Sequence, residues 1–105
     1  MYEIKENIRK IGGVEIPTWS REIYNANILS VEAGTNGYQG GDTGHGSRTY
    51  LRIQDEGSTD IHVQPITDRF GSIGFEVSLG GDAELETFIE ALRFAFHVLK
   101  EEATK

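Results

Sequence analysis

Apolar and polar residues alternate along most of this chain, and only its last quarter changes period. Ile73, Phe75, Val77 and Leu79 alternate with Gly74, Glu76 and Ser78, the period-two pattern of a strand with one buried face. Thr49, Leu51 and Ile53 alternate with Tyr50, Arg52 and Gln54, and Ile61 and Val63 with His62 and Gln64. Turn residues from Asp55 to Asp60 lie between these two runs, which predicts that they pair as a hairpin. A further turn at Thr67 to Gly71 leads into the strand at Ile73, so three consecutive antiparallel strands are expected. Leu29, Val31 and Ala33 mark an earlier fourth strand. Nearer the start, Tyr2 and Ile4 alternate and Gly12-Gly13 makes a two-residue turn between Ile11 and Val14, while Pro17 restricts strand pairing beyond it. A short hairpin or arm is expected there.

From Asp82 onward the period becomes helical. Asp82 comes after Gly80 and Gly81 as an N-cap, Glu84 and Glu86 fall in the first turn, and the helix is predicted from about Ala83 to about Glu102. Leu85, Phe88, Ile89, Leu92, Phe96 and Leu99 recur at spacings of one, three and four, one stripe predicted to pack on the sheet. At about 100° per residue Phe94 falls about 180° from Leu85, Val98 about 220° and Ala91 about 240°. That second strip would face water in an isolated domain, so Ala91, Phe94 and Val98 are expected to form a homo-oligomer interface. The pattern as a whole predicts one α+β domain over residues 1–105: an antiparallel sheet of four or more strands with one long C-terminal helix packed on one face.

Composition narrows the chemistry. With no cysteine in 105 residues, disulfides, thiolate metal sites and a Cys nucleophile are excluded. No leader and no membrane-length apolar run is visible, so a cytoplasmic protein with no membrane contact is expected. The net charge of -7, without a block of Lys or Arg, repels DNA, RNA and anionic lipid. A small anion can still bind beside a few arginines.

The segment "GTNGYQGGDTGHGSRT", residues 34–49, carries six glycines in its first thirteen positions. The spacing from Gly41 to Gly46, with Ser47 next, imitates a phosphate loop. No Lys is present there, however, and the chain enters a strand near Thr49 rather than a helix. Ser47 likewise lacks the strand-to-helix elbow of a hydrolase nucleophile, and only a small hydrolase using His45 and Ser47 would give the pair a catalytic role. Two accounts stay open. The segment is a long hairpin connection and nothing more, or it is an ordered cradle in which Gly40, Gly41, Gly44, His45 and Gly46 bring backbone N–H groups to an anion, with Arg48, Ser47 and Thr49 beside them. His45, His62, His97 and Asp42 match no metal motif, so no metal and no cofactor is expected. Asp55, Glu56 and Asp60 are explained by turn chemistry. On the helix, Arg93 beside Phe94 offers a phosphate fork next to an aromatic, although Arg93 could equally pair with Glu86 or Glu90. Trp19 in "IPTWSREIY" suits either packing or a stacking platform.

The runs "ILSVEAGTNGYQGGDTGHGSRTYLRI" and "FEVSLGGDAELETFIEALRFAFHVLK" resemble the small phage-encoded Thoeris anti-defence proteins, over roughly residues 28–100. That family sequesters cyclic ADP-ribose-type immune signals without cleaving them, and some members hold cyclic oligonucleotides in a separate pocket of a larger oligomer. The resemblance implies a non-enzymatic sponge in the infected bacterial cytoplasm, a dimer or higher assembly up to a hexamer. It implies Arg93 as a phosphate contact between protomers and Arg48 as a second one beside the glycine loop. Arg9, Arg21, Trp19 and Phe75 compete for the family's remaining Arg and aromatic roles. The competing reading is an acidic protein-binding inhibitor or a structural phage protein with no nucleotide ligand.

Overall fold

Seven elements succeed one another along the chain in a computed structural model that describes residues 3–104. Tyr2 lies outside them. Strands β1 (Lys5–Ile11), β2 (Val14–Tyr24), β3 (Ile28–Thr35) and β4 (Thr49–Gly57) form an antiparallel sheet in sequence order. The expected Gly12-Gly13 turn joins β1 to β2, pairing Ile11 with Val14, and both glycines take positive φ. Strands β5 (Ile61–Asp68) and β6 (Gly71–Leu79) form a separate two-stranded sheet, and helix α1 (Asp82–Ala103) comes last. The architecture is α+β, with the four-stranded sheet carrying the helix on one face.

The expected pairing of the strands at Thr49 and Ile61 does not form, because the chain leaves the sheet between them. The Oδ1 of Asp55 accepts the amides of Gly57 at 2.9 Å and Thr59 at 3.1 Å, and Ser58 adopts a left-handed φ of 60°. These backbone bonds, that from Thr59 first, hold the Asp55 carboxyl below the ordinary carboxylate range. The redirected chain then pairs with β6 instead, through a turn in which Asp68 Oδ1 accepts the amide of Phe70 at 2.8 Å.

The helix is turned over relative to the sequence expectation. Ala91, Phe94, Ala95 and Val98 pack against Ile23, Val31 and Ala33, with Trp19, Ile53 and Leu99 at the margin. Ala91, Phe94 and Val98 are therefore core residues of the protomer and not its outer interface. The physical reason is the row Thr87-Ala91-Ala95, one small side chain per turn, which lets the helix lie close over the small residues of β3. Leu85, Ile89, Leu92 and Phe96 face outward instead. The helix starts at Gly81 rather than on an Asp82 cap. Gly81 takes φ 112° with no side-chain cap bond, and Asp82 and Glu84 lie in the first turn, where the helix dipole favours them.

A buried polar chain fixes that docking. Thr87 Oγ1 donates to Asn27 Oδ1 at 3.0 Å, Asn27 Nδ2 donates to Thr59 Oγ1 at 3.0 Å, and Thr59 Oγ1 donates to the Ile28 carbonyl at 3.0 Å. One set of bonds thereby joins the helix, the β2–β3 turn and the exit from β4.

Candidate ligand-binding cleft

The glycine-rich segment from 36 to 48 is ordered by its own side chains. Asn36 exchanges bonds with Arg48: its amide donates to the Arg48 carbonyl at 3.3 Å, and its Oδ1 accepts the Arg48 amide at 2.8 Å. The Arg48 guanidinium donates to the carbonyls of Gly44 at 3.2 Å, Gly46 at 3.1 Å and Ser47 at 3.3 Å. Three of the amides expected to cradle an anion, those of Gly44, His45 and Gly46, are also committed. Gly44 N–H donates to Asp42 Oδ1 at 3.0 Å, and the amides of His45 and Gly46 donate to the Asp42 carbonyl. Hydrogen bonds from this backbone, that of Gly44 first, keep the Asp42 carboxyl below its ordinary range. Asp42 thus receives these three amides through its carboxylate and its carbonyl. A side chain on Gly46 would meet the Gly41 carbonyl at 2.5 Å, so Gly46 serves close folding of the loop upon itself.

That folded loop forms one wall of a cleft of about 400 Å³. Thr35, Gly37, Tyr38, Ser47 and Thr49 line this side, and Phe96, Leu99, Lys100 and Ala103 of α1 line the other. Gly37 sets the distance between the walls: its φ is 82°, and a Cβ there would meet the Glu102 carbonyl at 3.1 Å. Thr49 Oγ1 donates to Thr35 Oγ1 at 3.2 Å, and Thr35 Oγ1 accepts the Gly37 amide at 3.1 Å. Tyr38 and Phe96, both exposed, are the aromatics that line it, and the Lys100 ammonium stands 5.7 Å from the Phe96 ring centre. The cleft thus combines two aromatic surfaces, a group of hydroxyls and one cation.

The other residues singled out in the sequence are distributed elsewhere. Of the loop candidates, Ser47 and Thr49 line the cleft, whereas Gly41, Gly44, His45, Gly46 and Arg48 build the loop behind it. His45 Nδ1 lies 3.5 Å from Asp42 Oδ1, and no hydrogen bond joins His45 to Ser47. Arg93 is exposed and pairs with Glu90 at 2.6 Å, outside the cleft. Phe75 belongs to β6 and lines a different, apolar groove. Among the described residues no group of three or more His, Asp or Glu is placed to hold a metal ion.

The N-terminal candidates divide between the two faces of the sheet. On the face of the sheet away from the helix Arg9 donates through Nε to Glu32 Oε2 at 2.8 Å and through a terminal nitrogen to Oε1 at 2.6 Å. Thr18 Oγ1 adds a third bond to Glu32, at 2.6 Å, and the Arg9 guanidinium lies 5.1 Å from the Tyr50 ring centre. On the covered face Trp19 packs at the core margin, and the Arg21 guanidinium stands 5.8 Å from the Phe94 ring centre.

Tyr38, Phe96 and Lys100 are among the cleft residues that sequence reasoning misses. Periodicity places Phe96 in the stripe expected to face the core, and Lys100, one turn later, lies on the same side of the helix. A lone aromatic in a glycine-rich segment is the available signal for Tyr38.

Comparison with family models, with curated proteins and with solved structures returns no match. Among the described residues no helix is long and apolar enough to cross a membrane.

Proposed function

We propose that the protein captures a small cyclic nucleotide signal of the cyclic ADP-ribose type and withholds it without chemical change. It would act as a sponge against bacterial immune signalling in the host cytoplasm. The cleft at the glycine-rich loop carries this reading. Its volume of about 400 Å³ falls in the usual range for small-molecule sites. Tyr38 and Phe96 supply stacking surfaces for a base, Ser47 and Thr49 supply hydroxyls for ribose, and Lys100 supplies a charge for phosphate. The net charge of -7 does not oppose this, because a charge held next to the ligand acts inside a screening length of about 8 Å. The resemblance to the Thoeris anti-defence proteins points to the same class of ligand.

Calorimetric titration with cyclic ADP-ribose isomers tests the proposal. Binding is expected, and Tyr38→Ala or Phe96→Ala should each weaken it roughly tenfold, the scale of one lost base–aromatic stack. Arg93→Ala, whose guanidinium lies outside the cleft, should change affinity by less than about twofold. No binding by the parent protein, together with a stable complex with a host protein, would favour the acidic inhibitor reading.

A further inference from the structure

Of the chain's four asparagines, Asn7, Asn25, Asn27 and Asn36, only Asn36 is followed by a glycine. In an Asn-Gly pair the glycine's backbone nitrogen can attack the asparagine's Cγ. The N–Cγ bond forms, the Cγ–Nδ2 bond breaks, and the amide proton departs with that nitrogen as ammonia. Water then opens the cyclic imide. Addition at Cγ breaks the new bond and leaves aspartate, whereas addition at the main-chain carbonyl breaks the original peptide bond and leaves isoaspartate. Glycine favours the attack because it places no Cβ beside the nitrogen and its backbone turns freely.

In the folded chain each participant is restrained. The Gly37 amide donates to Thr35 Oγ1 at 3.1 Å, so the proton that must leave is held, and Thr35 is itself buried. Gly37 is buried too and fixed at φ 82°, and a Cβ there would meet the Glu102 carbonyl at 3.1 Å, which keeps solvent base from its nitrogen. The Asn36 Oδ1 accepts the Arg48 amide at 2.8 Å, so the carboxamide turns only by giving up that bond. Gln39 Nε2 adds to the restraint, donating to the Asn36 carbonyl at 2.8 Å and the Gly37 carbonyl at 3.3 Å.

We infer that Asn36 is a latent deamidation site, kept unreacted by the closed loop and by the Thr35 hydroxyl, and converted when the loop opens. The damage falls on the wall of the cleft. An isoaspartyl linkage routes the main chain through Cβ and Cγ, which lengthens it by a methylene next to Gly37 and leaves no Cγ carboxyl to accept the Arg48 amide. Nothing in this chemistry involves the ligand, so its failure would leave the proposed function untouched.

Peptide mapping of the full chain after incubation in buffer and in urea, at neutral and mildly alkaline pH, tests the inference, with isoaspartate scored by enzymatic methylation. In urea Asn36 should convert ahead of the other three asparagines, to a mixture of aspartate and isoaspartate, and faster at higher pH because the deprotonated amide attacks. In buffer it should convert roughly tenfold or more slowly, since a closed segment reacts only through its open fraction. Thr35→Val, which removes the hydroxyl, should speed the reaction in buffer, while Thr35→Ser should keep the parent's slow rate. Equal rates in buffer and urea overturn the protection, and a folded Thr35→Val variant with the parent's rate overturns the part given to the hydroxyl. Aspartate alone, or an Asn36 no faster than the other asparagines in urea, overturns the site itself.

Discussion

Glu32 is a buried carboxylate with both oxygens engaged: each binds Arg9, and one also accepts from Thr18. The Arg9 hydrogen bonds, ahead of burial acting in the opposite direction, hold its carboxyl below the ordinary range. A depressed folded-state value means that the stabilisation is complete above the unfolded value of about 4.3 and is lost as pH falls through the folded one. Glu32→Gln should accordingly lower stability by roughly 1–2 kcal/mol at neutral pH, a figure reduced because the Arg9 side chain is 37% exposed. Chemical denaturation across pH checks this: the two proteins should converge in acid, and an offset that stays constant with pH would remove the charge from the explanation. At the same scale, Asp42 and Arg48 show how a segment with the spacing of a phosphate loop can be complete without phosphate. The carboxylate and the carbonyl of Asp42 receive three amides, and Arg48 ties down the carbonyls.

At the scale of elements, the helix has two apolar faces with different duties. Phe94→Ala should cost roughly 3–5 kcal/mol, as for other buried aromatics, whereas Ile89→Ala should change the unfolding free energy by less than about 1 kcal/mol. Denaturant titration of both variants separates the two faces. Strand periodicity is legible because Ile73 to Leu79 and Leu29 to Ala33 alternate without interruption, and the Gly12-Gly13 turn is legible from its glycines. The facing of the helix is not. Periodicity measures how apolar a stripe is, and the Leu85–Phe96 stripe is the bulkier, but close packing on β3 selects the smaller side chains Ala91 and Ala95. The strand partner of β5 is hidden for a similar reason. Asp55 to Thr59 reads as an ordinary hairpin turn, while its hydrogen bonds carry the chain out of the sheet. In the candidate cleft, Ser47 and Thr49 are accessible to sequence, whereas Phe96 and Lys100 become neighbours of the loop only once the helix is turned.

For the molecule as a whole, the fold sets a glycine-rich loop against the C-terminal end of α1 and leaves a cleft between them. Phe96 both lines that cleft and lies on the outward side of the helix. The central claim of the proposed function is that a cyclic nucleotide signal is held and not transformed. Its most direct test is to incubate an excess of purified protein with a cyclic ADP-ribose isomer, assay the free signal, denature the protein by heat and identify the released molecule by mass spectrometry. The proposed function predicts depletion of free signal before heating and recovery of the intact cyclic molecule afterwards. Undiminished free signal, or release of a linear or otherwise converted product, would contradict it.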